Sequence, residues 1–188
     1  MVNIMNLGLI PLLALLGAAL PTTSTDNAIL ARDNDVPFSF ERWADAIAKG
    51  EPHISIDEAL QAANTSSVAQ ALPDGKRSIE KRLRCNHLSR VDSAWAPDAV
   101  ACINQLASND RMCRIEASGT FCLIGDAMIF GVRGGSERFT ESSCRDVARA
   151  AGFVMDNCWR ADNRVQGDHF AWGNGNMAVH VSAPFTQD

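Results

Sequence analysis

The chain has 188 residues, 17 Lys plus Arg against 22 Asp plus Glu for a net charge of −5, 46% hydrophobic residues and no tyrosine. This acidic balance argues against a protein that grips nucleic acid or an anionic membrane, since both need a basic excess. The six cysteines, Cys85, Cys102, Cys113, Cys122, Cys144 and Cys158, form an even set without the close pairs of a zinc site, so three disulfides made in an oxidising compartment are expected.

In chain order, Leu7 to Leu16 is a leucine-rich run followed by Gly17-Ala18-Ala19. It is too short to span a bilayer and ends in small residues, as a signal peptide does, although it lacks a basic n-region. Pro11 inside the run and Pro21-Thr22-Thr23 after it argue against a core helix. No other segment is apolar enough to cross a membrane, so no stable membrane insertion is expected of a secreted, extracellular product. Two dibasic pairs, Lys76-Arg77 and Lys81-Arg82, stand in a polar stretch just before Cys85 and hold two of the three lysines of the chain. An exposed polar stretch is what a processing protease requires. The expected organisation is a signal peptide over 1–19, a propeptide over 20–82 and a mature cysteine-rich domain over 83–188. That domain has ten Arg, no Lys and twelve Asp plus Glu, a net charge of −2.

Within the propeptide, Ser39 is placed to cap a turn carrying Phe40, Trp43, Ala44 and Ile47 on one face and stopping at Gly50. Ser55-Ile56-Asp57-Glu58 has the spacing of a capping box and opens a second short helix. Helices this short are marginal alone, so a mostly mobile segment is expected, with cover over the cysteine-bearing domain as the alternative. Asn64-Thr65-Ser66 is a glycosylation sequon that would leave with the propeptide.

In the cysteine-bearing part, Pro97 suits a first helical turn, and the apolar spacing predicts a helix over 97–108. Residues 112–116 and 120–124 read as a hairpin about Ser118-Gly119, and Ala127 to Val132 as a further strand. Ser143 and Asp146 open the clearest helix, with Cys144, Val147, Ala148, Ala151, Val154, Met155 and Cys158 on one face. Val165 to Trp172 and Met177 to Val181 read as a hairpin about Gly173-Asn174-Gly175-Asn176, Asn-Gly being a strong turn signal. The expected fold class is α+β, a two-layer sandwich of an antiparallel sheet with two helices on one face, stabilised by three disulfides. Cys144 and Cys158 sit ~21 Å apart on one helix at 1.5 Å per residue and cannot bond each other, which leaves about twelve of fifteen connectivities.

No catalytic set is recognisable. Of the three histidines His87, His169 and His180, the last two read as solvent-facing strand positions. Glu116, Arg133 and His180 are the residue types of a ribonuclease site but have no motif joining them. There is no nucleophile elbow, and Gly131 to Ser136 matches no phosphate loop. Asp168 and His169 are adjacent in a strand and point to opposite faces, which argues against a shared metal. No cofactor and no metal are therefore expected. Trp95 and Trp159 read as packing residues. Trp172 borders the glycine-rich tip, and with Arg133 and Asn174 it is the candidate recognition patch, since Trp and Arg dominate binding hot spots.

The signal peptide, the Lys-Arg-terminated propeptide and the six-cysteine domain resemble the small secreted effectors of plant-associated fungi, and the dibasic site resembles one cut by their kexin-type protease. Phe121 to Ile129, Ser143 to Ala148 with Cys158 closing the helix, and Asn176 to Val181 resemble the killer-toxin-like α/β sandwich effectors. The extracellular necrosis-inducing effectors have a similar layout. The resemblance implies a non-enzymatic secreted effector or toxin-like protein that binds a host or competitor protein or cell-surface component, with virulence as its setting. Six cysteines depart from the ten of the best-known toxin of that fold, so channel activity is not implied. The alternatives are a secreted hydrolase such as a ribonuclease-like toxin and a cell-wall carbohydrate-binding protein.

Overall fold

A computed structural model describes residues 37–67, 83–89 and 91–185. The expected signal peptide, the early propeptide and all four processing residues, Lys76, Arg77, Lys81 and Arg82, lie outside the described residues. The elements run α1 (Phe40–Lys49), α2 (Ile56–Ser67), β1 (Arg84–Cys85), β2 (Ala94–Trp95), α3 (Ala96–Ala107), β3 (Met112–Ile115), β4 (Ser118–Ile124), β5 (Ala127–Arg133), β6 (Thr140–Ser143), α4 (Cys144–Cys158), β7 (Arg164–Val165), β8 (Gly167–Phe170) and β9 (Met177–Ser182). The class is α+β as expected. Five strands form an antiparallel sheet in the order β1-β8-β9-β5-β4, and β2-β7 and β3-β6 form two-stranded ribbons.

The helix signals placed α3 and α4 to within a residue. Ser143 caps α4 by accepting from the Arg145 N–H at 3.1 Å. The strand pairing departs from expectation in one place. Residues 112–116 do not fold back on 120–124; β3 pairs with β6 instead, Cys113 opposite Ser142. Strand β4 runs straight through Ser118-Gly119 and turns only at Gly125, whose φ is +52°, to pair with β5. The Asp98 carboxylate holds that turn by accepting from the Asp126 N–H at 2.8 Å.

The pairing of β8 with β9 is as expected, but its connection is not a two-residue Asn-Gly turn. Only Gly173 has a positive φ there, at +72°. The Asn174 amide instead donates to the Thr140 hydroxyl at 3.0 Å and to the Glu141 carbonyl at 2.9 Å, while its oxygen accepts from the Asn176 N–H. A longer loop pinned to β6 replaces the free tip.

The disulfides are Cys85–Cys158, Cys102–Cys122 and Cys113–Cys144. Each ties a helix to a strand, and Cys144 and Cys158 bond elsewhere, as the helix length requires. The buried core runs through Val100, Ile103 and Leu106 of α3, Val147, Val154 and Met155 of α4, Ile129 of β5, and Val179 and Val181 of β9.

The same core continues into the segment before residue 68, contrary to the expectation of marginal helices. Phe40, Trp43, Ala44 and Ile47 of α1 are buried in it, and Phe40 meets Trp159 edge-on at 5.8 Å. Tertiary burial supplies what ten residues of helix propensity alone lack. Ser39 caps α1 and Gly50 ends it at a φ of +68°. At the start of α2, Ser55 and Glu58 satisfy each other's N–H groups reciprocally.

Gly152 marks the closest approach of α1 to α4. A β-carbon there would stand 2.7 Å from the Phe40 carbonyl and 2.8 Å from the Glu41 nitrogen. In a free helix, Gly→Ala gains about 1 kcal/mol. Gly152→Ala is instead expected to destabilise the chain by about 1–3 kcal/mol, the usual cost of overpacking, read as a lowered urea midpoint. A raised midpoint would mean that α1 does not sit on α4 in solution.

Candidate functional site

Two places gather polar chemistry: the junction of α1 with α4, and the edge of the sheet around Asp168. At the junction, the first turn of α1 points its free N–H groups at one carboxylate. Asp156 accepts from Phe40 N at 2.6 Å, from Glu41 N at 3.1 Å and from the Ser39 hydroxyl at 2.7 Å. A carboxylate suits the positive end of a helix, and this one is packed against α1 on one side while the residue stays exposed to solvent on the other. Burial pushes the Asp156 carboxyl up to about 6, against the three hydrogen bonds that favour its charged form. Two turns away along α4, Arg149 bridges Glu41 at 3.4 Å and Asp45 at 3.3 Å. Burial also raises the Asp146 carboxyl, partly offset by Arg149. A cleft of about 650 Å³ opens beside the junction, lined by Phe38 and Ala63 from the N-terminal segment and by Phe153, Asp156 and Trp159.

Trp172 belongs to the rim of this junction. Its ring packs near Phe153 and His169, and the Arg149 guanidinium lies 4.9 Å from it. Arg133 stands at the end of β5, where Gly134 N donates to the Asn176 carbonyl, so Arg133, Trp172 and Asn174 share one end of the sheet. Asn174 is spent on β6. Arg145 and Arg149 do not form an open basic face either, for Arg145 pairs with Asp110 and Arg149 lies under α1.

Around Asp168 the register of the sheet does the assembling. Arg84, Asp168, His180 and Phe130 stand opposite one another across β1, β8, β9 and β5. Residues in such a row share a face. Arg84 grips the Asp168 carboxylate through Nε at 3.1 Å and Nη2 at 3.0 Å, and His87 approaches from the loop after β1, its Nε2 2.9 Å from Oδ1. The His180 ring stacks on Phe130 at 4.7 Å. His169 and His180 are buried, which corrects their reading as solvent-facing strand residues, and His87 is half-buried. Burial lowers His180 to about 4, with Asp168 pulling the other way and His87 and Arg84 adding to the fall, so its imidazole is neutral at pH 7.

The trio Glu116, Arg133 and His180 does not assemble. His180 faces Phe130, and Arg133, three residues further along β5, lies on the opposite face by alternation. The alternation that separates Asp168 from His169 holds, since His169 turns to Phe153 and Trp172. What the sequence concealed is that the same alternation brings Asp168 to His180 and His87. Counting the register back from the β8–β9 loop was the one signal for it.

Residues 80–183 match a family model described as a domain of unknown function, DUF8794. The match takes in all six cysteines, α3, α4 and the Asp168 cluster, and leaves out α1 and α2. No curated protein and no solved structure matches the chain. Among the described residues, no helix is long and apolar enough to cross a membrane.

Asp156 gives the junction a pH dependence of definite sign. Its carboxyl titrates at about 6 in the folded chain and at ~3.9 in an unfolded chain, so the folded state binds the extra proton between these values. The stability it contributes is full below about pH 4 and is lost as pH rises through 6, by about 1 kcal/mol or less once solvent screening at this exposed residue is counted. Urea midpoints at pH 4.5 and 7.5, compared between the parent and Asp156→Asn, isolate this slope because the other carboxylates are common to both. A parent that gains stability relative to the variant on going to pH 7.5 contradicts it.

Proposed function

The chain belongs to the DUF8794 family, and we propose that it is the precursor of a secreted, non-enzymatic effector or toxin-like protein whose N-terminal segment shields its binding surface. In this reading a kexin-type protease cuts after Arg82, with Lys76-Arg77 as a second site. The mature domain is then a two-layer sandwich with α3 and α4 on one face of the five-stranded sheet, similar to the killer-toxin-like effectors. The observation that carries the proposal is the seating of α1 on α4. Buried aromatic side chains, a carboxylate cap and a bridging arginine join a segment outside the family domain to a helix inside it, and the dibasic pairs lie on the chain between them.

Release of α1 uncovers Arg149, Asp156, Trp159 and the adjoining Trp172. That surface is complementary to an amphipathic helix with acidic residues one turn apart, as Glu41 and Asp45 are, and with free N–H groups for Asp156. The host or competitor component is accordingly a protein presenting such a helix. Trp172 stays in the recognition patch, with Arg133 and Asn174 at its margin. The absence of the Glu116–Arg133–His180 constellation weighs against the ribonuclease-like alternative.

Secreted material is expected to begin at Leu83, read by N-terminal sequencing. The isolated precursor is expected to bind target or elicit a cell response at least about tenfold more weakly than the cut and separated domain, because the segment competes at high effective concentration. Trp172→Ala and Arg149→Ala in the separated domain should weaken both target binding and rebinding of a peptide spanning residues 37–67, each by about 1–2 kcal/mol for a hot-spot side chain. A start near residue 20, or equal activity of precursor and cut domain, refutes the shield. RNA hydrolysis abolished by His180→Ala would put the hydrolase reading in its place.

A further inference from the structure

The cluster on the far side of the sheet from α4 has no part in that shield. Gly167 is so close to α4 that a β-carbon on it would meet Cys158 and Val154, and Asp168, the next residue of β8, therefore points the other way. There, one ligand-type atom from each of His87, Asp168 and His180 lies within 4.8 Å of the other two. We infer that these three side chains bind a divalent transition-metal ion, zinc in the first place.

The donor set selects the class of ion. Two imidazole nitrogens and one carboxylate oxygen suit zinc and its borderline neighbours, whereas calcium and magnesium take oxygen ligands almost throughout. All six cysteines are spent in disulfides, so no thiolate competes for the ion. Around a zinc with bonds of about 2.0–2.2 Å, ligand atoms stand roughly 3.2–3.6 Å apart. His87 Nε2 and Asp168 Oδ1, at 2.9 Å, are near that spacing, and a small inward shift of one ring completes it.

The surroundings orient two of the three ligands, Asp168 and His180. Arg84 Nη2 engages Oδ2 of Asp168 at 3.0 Å, which leaves Oδ1 for the ion once Nε and His87 yield it. Phe130 fixes the plane of the His180 ring. Nδ1 of both His87 and His180 is buried without a hydrogen-bond partner among the described residues, so no carbonyl or hydroxyl satisfies these rings through that nitrogen. Three protein ligands leave a fourth position, open on the side where His87 reaches solvent, for water or a small anion.

The test uses the full chain with its disulfides intact, dialysed against chelator and then titrated with zinc chloride by calorimetry, with metal content measured after gel filtration. One zinc per chain is expected, with binding weakened about tenfold or more by His87→Ala and by Asp168→Asn, and unchanged by His53→Ala, which alters an exposed histidine elsewhere. Zinc should raise the melting temperature of the parent and not of His87→Ala, whose metal-free melting temperature reports whether it still folds. His87→Gln, which keeps the bulk, serves if it does not. No zinc retained at tens of micromolar, or retention indifferent to both His87 variants, overturns the inference, and neither result bears on the shield formed by α1.

Discussion

Helix α4 is fastened at both ends. Cys144, its first residue, is bonded to Cys113 of β3, and Cys158, its last, to Cys85 of β1. The closed loops span 31 and 73 residues, and in the chain-entropy account each cross-link of that size removes roughly 3.5–4.5 kcal/mol of freedom from the unfolded state. A helix held in this way cannot slide along the sheet. Val147, Ala151 and Val154 therefore meet the sheet at a fixed register, and the opposite side of the helix becomes a fixed platform for α1. The two charged anchors of α1, Arg149 and Asp156, lie between the two fastened ends.

The α1 junction is a compromise between opposing terms. Three donors aimed at Asp156 favour its anion, and partial desolvation against α1 disfavours it more, so near neutrality the carboxylate is held at some cost at the rim of the contact, beside the Arg149 bridge to Glu41 and Asp45. An apolar residue there would leave the N–H groups of Phe40 and Glu41 unsatisfied, which is dearer still. An interface built this way is specific, since only a helix start placed over Asp156 satisfies it. It is also releasable, because part of its binding energy is spent on desolvation. Gly152 adds a steric condition, admitting the backbone of α1 only where no side chain intervenes.

Much of this was readable from local patterns. The caps at Ser39, Ser143 and Gly50, the apolar faces of α3 and α4 and the break at Gly125 are set by neighbours within four residues, and the structure follows them. The failures are all non-local. Residues 112–116 and 120–124 look like a hairpin because Ser118-Gly119 looks like a turn, but Gly119 is extended within β4 and Met112–Ile115 pairs with a strand 25 or more residues further on. Asn174 looked like a turn former and is instead a bracket to β6. The docking of α1 was underestimated for the same reason, since a ten-residue helix carries no sign of the helix it will lie against. The disulfide pairs and the meeting of His87, Asp168 and His180 likewise depend on register summed over several strands.

The two candidate sites lie on opposite faces of β8, and this separation has a chemical consequence. His169 and Gly167 look toward α4, and Asp168 between them looks toward His87 and His180. Removal of α1 changes solvent exposure on the first side and leaves the donors on the second untouched, because Arg84, His87 and Phe130 all come from within the family domain. The segment proposed as a shield over one surface thus exerts no direct control over the other. Cys85 links them covalently: it follows Arg84 on β1 and is bonded to Cys158 at the end of α4. Reduction of that bond would free the first residues after the dibasic site, loosen Arg84 and His87 together, and release the end of α4 that carries Asp156. An intact Cys85–Cys158 bond is therefore the common requirement of both sites, and an oxidising compartment is where both would be complete.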